Sequence, residues 1–185
     1  MANCQLNMTD FKNAQFTGVT NVRGSQFTSY INFDGAQFSG SASFFGAQFS
    51  GSASFFGAQF SGSASFFGAQ FSGNANFRSS RLTRADFHGA QFTGDVDFHG
   101  AQFTGDADFF GAQFTHNADF SGTQFSSSNF DGASVALDAE TAPPGWTTRP
   151  ARHDEGEDAG CRYLVRVKDV AARDVSNGRT TPEHP

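Results

Sequence analysis

Charge is scarce in this chain. Of its 185 residues only 12 are Lys or Arg and 18 Asp or Glu, and the formal net charge is −6. Neutralising a nucleic-acid backbone takes clustered cations, so the balance argues against direct nucleic-acid binding and for a partner with a basic face. Cysteine is scarce too: Cys4 and Cys161 are too few for a disulfide framework, which favours a cytoplasmic setting. No apolar run is long enough to span a bilayer, and the opening MANCQLNMTD has neither the charged nor the apolar region of a secretory leader. Two Tyr and one Trp stand beside 25 Phe and 21 Gly. One apolar side chain has been chosen again and again for one repeated socket.

The socket repeats with a period. From Ala36 to Gly73 the stretch AQFSGSASFFG occurs three times and then reads AQFSGNANF. Phe38, Phe44, Phe49, Phe55, Phe60, Phe66 and Phe71 alternate between steps of six and five, a fixed beat that marks a solenoid and extends from Leu6 to Val135. Those steps give no continuous stripe at the helical period, which argues against helix. Strand alternation instead turns Ala and the central Phe of each unit inward, and the following Gly opens a corner that other residues resist. The fold class is therefore all-β.

The A-x-F-x-G pattern, as in Ala85-Asp86-Phe87-His88-Gly89 and Ala118-Asp119-Phe120-Ser121-Gly122, resembles the pentapeptide-repeat family. The resemblance covers Leu6 to Val135 and implies a right-handed quadrilateral β-helix, with four five-residue units to a square coil and a central Leu or Phe filling the interior. This sequence departs by a sixth residue in every second unit, for example Ser41, Ser52 and Ser63. Coils of about 22 residues with two bulged corners are expected. Residues 1–137 are assigned to the β-helix and 138–185 to a linker and C-terminal tail, partly disordered, that caps the solenoid or joins two copies. Asp138 to Asp158 reads as linker, and Trp146 is the residue expected to cover the last coil, since a bare solenoid end exposes apolar rings. Cys161 to Val175 fits either a strand or a short helix.

The register assigns four faces. The first is centred on Val22, Phe44, Phe66, Phe87, Phe109 and Phe130; the second on Leu6, Phe27, Phe49, Phe71, Phe92, Phe114 and Val135. The third carries Phe11, Phe33, Phe55, Phe77, Phe98 and Phe120, and the fourth Phe16, Phe38, Phe60, Leu82, Phe103 and Phe125. Outward on the first face Phe45, Phe67, His88 and Phe110 should form an exposed aromatic column, a candidate surface for a protein partner or a second copy of the chain. Glutamines on the second and fourth faces should form amide ladders between coils. With Ser and Thr across each Phe they leave an ice-binding surface as a remote alternative.

Asp86, Asp95, Asp97, Asp106, Asp108 and Asp119 make the C-terminal half acidic. The resemblance attaches a function to that charge, because some family members imitate duplex DNA and bind topoisomerases such as DNA gyrase. Against it, Ala36 to Gly73 is nearly uncharged. Asp86 with His88, and Asp97 with His99, set a carboxylate near an imidazole, yet no nucleophile or oxyanion donor accompanies them. His88 and His99 fall on opposite faces, and His116, Cys4 and Cys161 lack ligand spacing, so no metal, cofactor or catalytic residue is assigned. The expectation is a non-enzymatic, bacterial, cytoplasmic scaffold that touches no membrane and binds a protein partner, with a topoisomerase as the alternative.

Overall fold

Every inward Phe needs neighbours at van der Waals distance, and the chain supplies them by stacking coil on coil. A computed structural model describes residues 5–6, 9–136, 142–150 and 161–166, and all the regular elements among them are strands. The strands of the second face are Gln5–Leu6, Gln26–Phe27, Gln48–Phe49, Gln70–Phe71, Gln91–Phe92, Gln113–Phe114 and Ser134–Ala136. Each pairs in parallel with the next, so Gln5 meets Gln26, which meets Gln48, and so on to Ser134. The third face repeats this from Thr9–Asp10 to Ala118–Asp119. The fourth and first faces share one sheet, because Gln59–Ser65, Arg81–Asp86, Gln102–Asp108 and Gln124–Asn129 each continue round the corner between them. The result is a four-sided β-solenoid of about six coils, roughly 30 Å long at about 4.8 Å per coil.

The interior is made of rings, arranged as the face map requires. Within a column the planes are nearly parallel, as for Phe44 and Phe66 at 4.8 Å and 4°, or Phe38 and Phe60 at 4.5 Å and 1°. Rings of the opposite first and third faces meet edge to face across the middle, Phe44 on Phe55 at 5.5 Å and Phe66 on Phe77 at 5.4 Å. Both geometries suit the aromatic quadrupole and add about 0.5–1.5 kcal/mol per pair to plain burial. Leu82 takes one place in the fourth column.

Two kinds of corner explain the glycines. After the first and third faces the chain turns through a positive φ, as at Gly46 (60°) and Gly57 (63°), a conformation that Asn13 and Ser79 also adopt. After the second and fourth faces the reason is space, since a Cβ on Gly62 would lie 2.6 Å from the backbone of Gly40 one coil below. The sixth residues sit at these latter corners, and the ladder shifts there, between Phe60 and Ser63 and again between Phe103 and Asp106. Arg81–Asp86 is one residue shorter than its neighbour, and the shift absorbs the loss: Leu82 still pairs with Phe60 and Ala85 with Ala64.

The end of the rod departs from the expected linker. Trp146–Pro150 is a strand, antiparallel to Cys161–Arg166, which pairs antiparallel with Ser134–Ala136 and so extends the second face. This settles the strand alternative for Cys161–Arg166, because the open edge of the last coil offers backbone partners that a helix could not use. The Leu164 amide donates to the Ala133 carbonyl at 3.0 Å. Trp146 is buried with its ring 5.4 Å from Phe130, and its Nε1–H donates to Ser128 Oγ at 3.3 Å, so the expected cap is present. The rest of the predicted tail lies outside the described residues.

Candidate functional site

On the first face an outward position follows each central ring, and the backbone fixes its height within the coil. Those positions hold Phe45, Phe67, His88 and Phe110, which form the aromatic column expected from the spacing. Phe45 and Phe67 are 5.1 Å apart and parallel within 4°, Phe67 and His88 are 4.7 Å apart, and His88 and Phe110 are 5.0 Å apart with a 33° tilt. The three phenylalanines stay 37–44% exposed, whereas core rings such as Phe44 and Phe66 are at 0%. An apolar stack left in water along a flat wall has the character of a contact surface. Its N-terminal neighbour is not a ring: the Arg23 guanidinium lies 4.4 Å over Phe45. Sequence reasoning missed Arg23, although its place directly after the inward Val22 carries the signal. Phe56 is exposed on the third face, as is Tyr30 at the corner before it.

The acidic residues divide. Asp97 and Asp119 stack in one column of the third face, with Asp95 at the corner before it. Asp86 and Asp108 stack on the first face, with Asp106 at its preceding corner. They form two short rows on opposite sides of the rod, with no single acidic wall. Four of them also have a local task. Oδ1 of Asp86, Asp97, Asp108 and Asp119 accepts the amide of the residue two further on, His88, His99, Phe110 and Ser121, at 2.7–3.0 Å. This Asx geometry closes the turn.

Asn21, Asn32, Asn76 and Asn129 make the same bond without charge. The turn therefore needs a short acceptor and not a carboxylate. In the Asp86–His88 and Asp97–His99 pairs Oδ1 accepts the histidine's own main-chain amide, and the imidazole of His99 has its ion pair with Asp119 one coil on. His99 Nδ1 instead lies 2.7 Å from Ser121 Oγ and 4.0 Å from Asp119 Oδ2, and Arg78 reaches Asp97 at 3.8 Å. Partial burial works against the charge of Asp119, but the hydroxyl and amide of Ser121, with His99 and Arg78 nearby, outweigh it and hold its carboxyl below the usual range.

A shallow third-face groove is lined by Asn74, Asn76, Asp95, Asp97, Asn117 and Asp119. Its corner residues bond along the rod, the Asp95 amide to Asn74 Oδ1 and the Asn117 amide to Asp95 Oδ1. Among the described residues no three His, Cys, Asp or Glu side chains converge as metal ligands. The expected glutamine ladders are mostly unmade: among the described residues Gln26 donates to Gln48 at 3.3 Å and Arg81 to Gln102 at 2.9 Å, while Gln37, Gln59, Gln70, Gln91, Gln113 and Gln124 face water. No helix among the described residues is long and apolar enough to cross a membrane.

A family profile agrees with this architecture: described as pentapeptide repeats in nine copies, it matches residues 2–48, 44–91 and 87–134. No curated protein sequence matches the chain. Among solved structures it is similar to HetL, a pentapeptide repeat protein involved in heterocyst differentiation regulation from the cyanobacterium Nostoc sp. strain PCC 7120. That similarity has 14% identity over 76% of this chain and 92% of that one, at a TM-score of 0.13.

Proposed function

The chain belongs to the pentapeptide-repeat family, and from that premise we propose that it is a rigid, non-catalytic, cytoplasmic scaffold that binds a protein partner through its outer faces, chiefly the aromatic column of the first. The observation that carries the reading is the unbroken stack of Phe45, Phe67, His88 and Phe110, partly exposed between a column of glycines and the polar column Asn21, Ser43, Ser65, Asp86, Asp108, Asn129. Filling of the solenoid interior by close-packed rings supports a role without catalysis, since substrates need a cavity. The test is affinity capture from extract of the source cells, comparing the native chain with the Phe45→Ser, Phe67→Ser, Phe110→Ser triple variant. Loss of captured protein with unchanged thermal unfolding is expected. Equal capture by both sinks the assignment of this face.

A second reading, a DNA mimic directed at a topoisomerase, draws support from the aspartates. Because Asn serves the same turns elsewhere, the charge at Asp86, Asp97, Asp108 and Asp119 is surplus to folding and available for a basic partner. The nearly neutral coils from Ala36 to Gly73 weigh against it, since a DNA mimic is acidic along its length. A gyrase supercoiling assay separates the two, and absence of inhibition or protection at micromolar protein removes the mimic.

A further inference from the structure

The first-face column does not stop at its rings. Below Phe45 its position belongs to Arg23, and above Phe110 it belongs to Asp131, whose carbonyl accepts the Gly111 amide. In coil order the column reads Arg23, Phe45, Phe67, His88, Phe110, Asp131: a cation, four rings, an anion. Beside it runs a second outward column, Asn21, Ser43, Ser65, Asp86, Asp108, Asn129. Both change character from one end to the other. Both are complementary to their own reversal.

Resting on the reading that this face is a binding surface, we propose that its occupant is a second copy of the chain. The copy lies antiparallel, about a twofold axis at the height between Phe67 and His88. That reversal sets Arg23 against the partner's Asp131, Phe45 against the partner's Phe110 and Phe67 against the partner's His88. It also sets Ser43 against the partner's Asp108 and Ser65 against the partner's Asp86, so hydroxyl donors meet carboxylate acceptors and no two carboxylates meet. A slip of one coil breaks the pattern, either by placing Asp86 on the partner's Asp86 or by carrying Asp131 past the end of the partner's column. A parallel arrangement places Arg23 on the partner's Arg23. Complementary charge thus fixes both direction and register. One solenoid wall, on the order of 10 Å by 30 Å, buries on the order of 600 Å² counting both copies, below the roughly 1,200 Å² where stable specific interfaces begin, so the pair is weak and transient and weakens further with salt.

The experiment is sedimentation equilibrium of the full chain and of Arg23→Asp and Asp131→Arg, with thermal unfolding as a check of fold. The native chain should approach twice its monomer mass with rising concentration at low salt. Each single variant sets like charges against each other at both ends and should self-associate about tenfold more weakly or worse. An equimolar mixture of the two should recover dimer, because R23D against D131R restores both ion pairs across one interface. A native chain monomeric up to millimolar concentration, variants that pair as tightly as the native chain, or a mixture that stays monomeric would each overturn the proposal. A monomeric native chain whose capture of another protein still depends on Phe45, Phe67 and Phe110 removes the second copy and leaves the scaffold reading standing. Loss of both removes the face.

Discussion

Ser25, Ser80 and Thr123 occupy an inward position that is alanine in most coils, and all three are buried. Ser80 Oγ donates to the Phe77 carbonyl at 2.6 Å and Thr123 Oγ1 to the Phe98 carbonyl at 2.9 Å, whereas the hydroxyl of Ser25 has no partner among the described residues. An unpaired buried hydroxyl is a cost that a methyl lacks, so Ser25→Ala should stabilise by about 1 kcal/mol in denaturant unfolding and Ser80→Ala should destabilise by a similar amount. The glycines part in the same way. At Gly46, φ is +60° with open space where a Cβ would stand and a glycine, Gly68, one coil on, and Asn13 shows that asparagine can hold such a corner, so Gly46→Asn should cost about 1 kcal/mol. Gly62→Asn, pressed on the Gly40 backbone, should cost about 3 kcal/mol or more. The carboxyl of Asp119 is held low when folded, so its contribution is complete above the unfolded value near about 3.9 and is lost as pH falls through the folded one. The stability gap between the native chain and Asp119→Asn should therefore narrow as urea melts are moved from pH 6 towards pH 3. Inward and outward sides were legible in the sequence because a side-chain period of two cannot be disguised. The task of each polar atom was not, because it depends on which backbone amide lies above it.

The strands between corners are two residues long at most places, too short to be stable alone, and draw their stability from the coils on either side. The ends are therefore the weak points, and the C-terminal end is covered by Trp146–Pro150 and Cys161–Arg166. Trp146→Ala removes the lid over Phe130 and should cost about 3 kcal/mol, with faster amide exchange at Val135 and Leu164 but not at Phe66. A uniform loss of protection along the rod would contradict that order. This cap marks where the sequence stopped being readable. Trp146 announced itself as the one tryptophan of the chain, but Pro143, Pro144 and Gly145 just before it read as linker, and no period distinguishes a five-residue strand there from extended loop. Its strand character comes from the edge it pairs with, a long-range fact absent from the local residues.

At the scale of the molecule the four columns, their membership and their order follow from the spacing of Phe alone, and the shortened coil at Arg81–Asp86 leaves them continuous. The aromatic column was legible as rings in a row. Its polarity from Arg23 to Asp131 was not, since it becomes visible only when residues more than a hundred positions apart are seen to share one column. The uniform coils between Ala36 and Gly73 carry a last consequence. Removing residues 47–68 joins Gly46 to Ala69 and leaves every surviving inward ring with an apolar neighbour in its column, Phe27 under Phe71, Phe33 under Phe77, Phe38 under Leu82 and Phe44 under Phe87. That excision should yield a shorter rod with the same strand signature in circular dichroism and a lower but still cooperative melting transition; a chain that failed to fold would contradict it. A body assembled this way is a ruler marked in equal steps, whose span can be reset by whole coils without redrawing either end.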